Sequence, residues 1–143
     1  MVSWGFIESS SAMATNALYL NAKFQNKPGR MPKFLKEQFK FMRRCLCDIP
    51  EFKLLKKDAQ AIIAATEKEK DIRELFAHSV LTSTEARNGI YTFTNLDAKD
   101  NYHLATDWEF DANTFPAVVS TLSHLAESWH QLSYQVVRIA EAL

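Results

Sequence analysis

The spacing of apolar residues predicts a helical protein. Apolar and small residues recur at steps of three and four in a first segment, about 4–21, and again in a second, about 32–49. Pro32 suits the first turn of the second helix, and Pro50 ends it because the residue before a proline disfavours helical geometry. A third helix is predicted over about 52–80, with a polar middle and a less regular apolar face.

The last segment, about 113–143, carries the most regular pattern in the chain. Nine apolar residues alternate at steps of three and four: Phe115, Val118, Leu122, Leu125, Trp129, Leu132, Val136, Ile139 and Leu143. At about 1.5 Å per residue this helix spans roughly 40 Å, more than packing against the other helices requires. We therefore expect part of it to offer a surface to a partner subunit.

The period changes from helical to alternating between the third and last helices. Residues 90–94 are β-branched and aromatic, and large residues alternate with smaller or polar ones over 102–110, after an Asn-Gly turn signal at 88–89. This pattern predicts a β-hairpin over about 89–110, packed on the helices because an isolated hairpin is barely stable. The predicted fold is mainly α: one domain, 1–143, forming a four-helix bundle with a hairpin inserted before the long C-terminal helix.

Composition narrows the class of protein. The chain has 143 residues, 47% of them hydrophobic, with 17 basic and 17 acidic side chains, which fits one soluble domain rather than a disordered chain. Three glycines and four prolines disfavour an all-β sandwich. Cys45 and Cys47 lie on roughly opposite faces of a helix and have no second pair at zinc spacing. We expect a cytoplasmic protein with no membrane contact, no metal site and no cofactor.

The zero net charge hides an uneven distribution. From Lys23 to Lys57 there are eleven Lys or Arg residues against three acidic ones, a local excess of eight positive charges. Five cations share the side of the second helix away from its apolar stripe: Lys33, Lys36, Lys40, Arg43 and Arg44. Cations at helical spacing can follow a phosphate backbone, so we predict an RNA-binding face here. The alternative is an ordinary solvated face, or a complement to an acidic surface elsewhere in the protein.

A second candidate lies near the end of the predicted third helix. Arg73 and His78 are separated by four residues, Glu74-Leu75-Phe76-Ala77. This spacing matches the R-x4-6-H motif of the HEPN superfamily, and the helical bundle with a long helix after the motif also resembles that family. The resemblance covers most of the chain as an architecture but only this hexapeptide as sequence. Glu74 departs from the family pattern, which often has Asn, Asp or His after the arginine.

The resemblance implies a metal-independent endoribonuclease that acts as a homodimer. The ribose 2′-hydroxyl would attack the adjacent phosphate, with His78 transferring protons and Arg73 stabilising the phosphate. Glu74 and Ser79 are candidates for supporting residues beside that pair. Two positions five residues apart on one helix point about 140° apart. The family resolves this divergence by dimerising, so the resemblance implies that two motifs face each other in a shared cleft. The family context also implies RNA as a partner and, in toxin systems, an antitoxin or other protein.

Two other functions stay open. One is a catalytically inert helical bundle that binds a partner protein through its last helix, and the other is a small-molecule pocket beneath the hairpin. In the inert reading, Glu69–Arg73 and Glu74–His78 are only acid-first pairs that stabilise a helix. Glu127 and His130 have the spacing of a di-iron ligand pair but lack the second pair such a site needs.

Overall fold

The computed structural model describes residues 2–23, 27–83, 90–98, 103–111 and 114–143, and this part of the chain is mainly helical. It contains five α-helices, a short 3-10 helix over Pro50–Phe52, and an antiparallel sheet in the order β1-β2-β3. The elements are α1 (Val2–Asn21), α2 (Leu35–Asp48), α3 (Lys56–Lys68), α4 (Lys70–His78), β1 (Ser79–Ser83), β2 (Tyr91–Ala98), β3 (His103–Phe110) and α5 (Thr114–Glu141). None of the helices in these ranges is long and apolar enough to cross a membrane.

The chain divides into two compact units. We call residues 2–67 together with 124–143 the helical unit, and residues 68–123 the sheet unit. The helical unit holds α1, α2, α3 and the second half of α5. The sheet unit holds α4, the three strands and the first half of α5.

Trp129 is the centre of the core of the helical unit. Its side chain is fully buried, and its ring stacks on that of Phe39 in α2 with the centroids 5.4 Å apart. Its Nε1 donates a hydrogen bond of 2.7 Å to the hydroxyl of Thr66 in α3, which itself donates to the carbonyl of Ile62. A buried indole N–H needs such a partner, so this contact fixes the register of three helices around one ring.

The predicted apolar stripes are confirmed at most positions in the helices of this unit, although Ile139 is half-buried and Leu143 is 39% exposed. On α1 every stripe residue is buried: Trp4, Ile7, Ser11, Ala14 and Leu18. On the second half of α5, Leu125, Trp129, Leu132 and Val136 are buried as well. Since burial follows the predicted spacing, the periodicity identified the core correctly.

The outer face of α1 is unusual for a surface helix. Phe6, Met13 and Leu20 follow one another at steps of seven and remain 61%, 59% and 68% exposed. The only charged residue of α1 is Glu8, whose carboxylate accepts a hydrogen bond from the indole of Trp4. A surface helix normally presents charged residues to water, whereas α1 exposes an apolar stripe.

The predicted bounds of the second and third helices are partly wrong, and the third begins at Lys56 rather than near Phe52. The second helix begins at Leu35 rather than near Pro32, because Phe34 has an extended backbone, and it ends before Pro50 as predicted. The predicted third helix over 52–80 is two helices, α3 and α4, joined by one turn residue, Glu69. Its last residues leave the helix because Ser79 and Val80 pair with Asn95 and Thr94 of β2, so their backbones belong to the sheet.

The sheet unit has one strand more than the predicted two. β2 and β3 pair antiparallel from Tyr91 opposite Phe110 to Ala98 opposite His103, and β1 adds a third strand beside β2. The turn signal at 88–89 and residues 99–102 lie outside the described residues. The last helix starts where predicted, since the backbone N–H of Thr114 donates to the Asp111 carboxylate and the backbone N–H of Asp111 donates to the Thr114 hydroxyl.

Candidate functional site

Helix α4 carries both residues of the predicted catalytic pair. It has nine residues, begins directly after the turn at Glu69, and ends at His78. The chain enters β1 at the next residue, Ser79, and α4 contacts both β1 and β2. The motif therefore occupies the second half of its own short helix.

Arg73 is bound by the residue next to it. One of its terminal guanidinium nitrogens donates a hydrogen bond of 2.9 Å to the Glu74 carboxylate. The two side chains are 31% and 45% exposed, so solvent reaches the pair. Neighbouring residues on a helix point about 100° apart, and only long side chains can close that gap. The Glu74 carboxylate thus lies where it competes with any phosphate for the Arg73 charge.

One copy of α4 cannot present Arg73 and His78 on the same face. Five residues advance the helix by about 7.5 Å and turn it by about 140° from the first side chain to the second. The side chains of His78 and Ser79 lie outside the described part of the structure. What the backbone establishes is that Arg73 is in the middle of α4 and His78 is its last residue.

The predicted RNA-binding cations do not all face the same way. Lys33, Lys36 and Lys40 are exposed, and Arg44 is partly exposed with its Nε 3.5 Å from the Asp48 carboxylate. Arg43 turns towards α3, where its two terminal nitrogens each donate a hydrogen bond of 2.7 Å to the Glu67 carboxylate.

The Arg43–Glu67 contact is electrostatically strong for a surface pair. The hydrogen bonds from Arg43 hold the pKa of the Glu67 carboxyl below its usual range, and the same bonds raise the pKa of the Arg43 guanidinium. A fork-to-fork contact of this kind commits both groups to joining α2 and α3. We therefore remove Arg43 from the candidate RNA face.

A groove beside α2 was missed by the sequence analysis. It has a volume of about 340 Å³ and lies between α2 and the segment before it. Its lining residues come from both: Pro28, Arg30, Pro32, Glu37, Lys40, Phe41 and Arg44. The sequence Lys27-Pro28-Gly29-Arg30 contains a Pro-Gly pair that is typical of a turn, but nothing local in it shows that this segment folds back towards α2.

The wall of this groove is anchored to α1. The hydroxyl of Tyr19 donates a hydrogen bond of 2.9 Å to the carbonyl of Pro28, and the Lys27 ammonium lies 4.5 Å from the centroid of the Tyr19 ring. The same ring lies against Phe41, with 6.1 Å between the centroids. Because Pro28 also has a restricted backbone, the wall is held in place before any ligand arrives.

The other side chains that could carry chemistry are weaker candidates for a functional site. Burial raises the pKa of the Cys45 thiol to about 12, so this cysteine is a core residue rather than a nucleophile. Within the described ranges no three His, Cys, Asp or Glu residues are grouped to hold a metal ion. Trp108 on β3 is 41% exposed, so it does not fully bury the inner side of the predicted hairpin.

Comparison with known proteins adds no relative. No protein-family model matches the chain, and no curated protein or solved structure is significantly similar to it. The function of this chain therefore has to be inferred from the residues of α4 and of the groove beside α2.

Proposed function

We propose that this protein is a HEPN-like endoribonuclease that works as a homodimer, with Arg73 and His78 as its reacting groups. The observation that carries the proposal is the place of the motif. α4 is a separate helix of nine residues that ends at His78, with Arg73 partly open to solvent. A group that exchanges protons near neutral pH and a permanent cation are what cleavage of an RNA phosphodiester requires.

The chemistry follows from these two groups. The 2′-hydroxyl of a ribose loses its proton to an imidazole and attacks the adjacent phosphorus, and the bond to the 5′-oxygen of the next nucleotide breaks. That oxygen takes a proton from a second imidazole, which leaves a 2′,3′-cyclic phosphate and a free 5′-hydroxyl. Arg73 donates hydrogen bonds to the phosphate oxygens as negative charge builds on them.

Two features support the need for a second copy. His78 and Arg73 diverge on one helix, so the cation near one imidazole has to come from the other copy. The apolar outer stripe of α1, with Phe6, Met13 and Leu20 more than half exposed, is typical of a surface that another chain covers. Lys33, Lys36, Lys40 and Arg44 are the cations that we expect to contact RNA, with Arg43 excluded because Glu67 binds it.

The test uses the full-length chain and end-labelled single-stranded RNA. We expect the wild type to leave cyclic phosphate termini, and His78→Ala to abolish cleavage with no change in circular dichroism or oligomeric state. His130→Ala is the matched control, because His130 is an exposed histidine on α5 far from the motif in sequence. Cleavage that persists in His78→Ala, or that the wild type never shows on a broad RNA pool, would overturn the proposal.

A second candidate is a catalytically inert interaction module, and one contact favours it. Arg73 donates to Glu74 of its own helix, an arrangement that neutralises the cation instead of presenting it to a substrate. If this reading is right, Glu74→Gln gains no activity and the wild type cleaves no RNA, yet the protein still associates with a protein partner.

A further inference from the structure

The groove between α2 and the loop before it combines cations from two elements. Arg30 comes from the loop, whereas Lys40 and Arg44 lie four residues apart on α2. Arg30 and Lys40 are exposed, and Arg44 is partly exposed beside Asp48. Cations on one helix face are ordinary, but cations that a loop brings to the same concave surface point to an anionic ligand.

We propose that this groove binds the phosphate group of a nucleotide. Three cations and the carboxylate of Glu37 line it, and Asp48 pairs with one of those cations, Arg44, so one positive charge is left in excess. A phosphodiester of RNA carries one negative charge, and a phosphate monoester carries nearly two near neutral pH. The planar guanidinium of Arg30 suits two phosphate oxygens at once, and the ammonium of Lys40 supplies a point charge.

The remaining lining fits the rest of a nucleotide. Pro28 is half-buried and gives the groove an apolar edge that a sugar can contact, whereas Pro32 and Phe41 are buried and form only its floor. The carboxylate of Glu37 can accept a hydrogen bond from a ribose hydroxyl or a base N–H. At about 340 Å³ the groove is at the small end of ligand sites, which suits one nucleotide rather than a folded RNA.

The rigidity of the groove separates it from a solvated basic face. The Tyr19–Pro28 hydrogen bond and the Lys27–Tyr19 contact hold the loop, so little conformational freedom is lost on binding. Lys53 and Lys57 belong to the same basic stretch, Lys23 to Lys57, and are exposed, but they do not line the groove. These two lysines therefore serve as a control for positive charge that lies outside the groove.

If the nucleotide is part of RNA, the groove is the RNA-binding site of the proposed endoribonuclease, and this inference then rests on the proposed function. Binding is therefore measured on full-length His78→Ala protein, in which cleavage cannot consume the probe. The probes are a fluorescent single-stranded RNA, followed by anisotropy, and AMP or GMP, followed by calorimetry. Binding of RNA alone or of the mononucleotide alone supports the proposal and identifies the source of the phosphate.

Two double variants with equal loss of charge decide the question. We expect Arg30→Ala/Lys40→Ala to weaken binding of the responding probe by about tenfold or more, and Lys53→Ala/Lys57→Ala by about threefold or less. Equal losses in the two variants, or no binding of either probe, would overturn the inference. A chain that binds through the groove but never cleaves RNA keeps this inference and loses the proposed function.

Discussion

Two arginine–glutamate pairs, one in each unit, show how differently the same two residue types are used. Arg43 and Glu67 are 24 residues apart and meet through two hydrogen bonds of 2.7 Å that join α2 to α3. Arg73 and Glu74 are neighbours within α4 and meet through one hydrogen bond of 2.9 Å. The first contact connects two helices, whereas the second lies within a single helix, α4.

This difference separates a structural arginine from a candidate catalytic one. Removing Arg43 takes away a tertiary contact, so its effect belongs to stability. Removing Arg73 takes away a hydrogen bond within one short helix and the cation that we propose to act on phosphate. Comparing Arg43→Ala with Arg73→Ala therefore separates an effect on stability from an effect on cleavage.

The largest expected effect is that of Arg73→Ala on cleavage. Loss of one donor that stabilises charge in a transition state costs about 10²-fold or more in rate. The free energy of unfolding is measured beside the rate, so that a loss of stability is not mistaken for a loss of catalysis. Initial rates on labelled RNA and urea denaturation measure the two quantities. Arg43→Ala is the control, and cleavage losses of similar size in both variants would contradict the comparison.

The next largest effect that we expect is a gain in the rate of RNA cleavage. Glu74→Gln removes the negative charge beside Arg73, and we expect cleavage to rise by roughly three- to tenfold since the guanidinium then interacts fully with phosphate. Glu69→Gln, one turn earlier, removes the same charge at a position outside this hydrogen bond. A fall in rate for Glu74→Gln with none for Glu69→Gln would instead make Glu74 a supporting residue of the site.

The helical unit could be predicted because periodicity reports burial directly. The stripe from Trp4 to Leu18 and the one through Trp129 are both buried, and Pro50 ends α2 for a reason that is local to the backbone. The break at Glu69 could not be predicted, because the run Glu67-Lys68-Glu69-Lys70 contains no Gly or Pro. Strand β1 was missed because its partner, β2, begins eight residues after it ends.

The candidate site was predictable as a pair of positions but not as a set of contacts. The spacing of Arg73 and His78 identified them, and α4 does end at His78. The expected i,i+4 rule gave Glu69 as the partner of Arg73, whereas Glu74 binds it, because long side chains can reach an adjacent residue when solvent allows. Arg43 could not be assigned for the opposite reason, since its partner lies on another helix.

The stability side of the comparison predicts a small but specific effect for Arg43→Ala. The two side chains are 38% and 46% exposed, so solvent screens the pair and we expect a loss of about 0.5–1 kcal/mol rather than the value of a buried contact. A double-mutant cycle with Glu67→Ala, measured by urea denaturation, isolates the coupling between the two side chains. Additive losses would show that the contact contributes nothing of its own.

The smallest effect is the pH dependence of that same coupling. The pKa of the Glu67 carboxyl is lower in the folded chain than its ordinary value, chiefly because of the hydrogen bonds from Arg43. The unfolded chain therefore binds a proton at this site before the folded chain does, so the stabilisation is complete above the ordinary glutamate pKa of about 4.3. It is lost as the pH falls through the lowered pKa of the folded state. We expect wild type and Glu67→Gln to differ in unfolding free energy at pH 7, and the difference to shrink as the pH falls below about 4.3. A difference that stays constant over that range would mean that the Glu67 charge does not stabilise the fold.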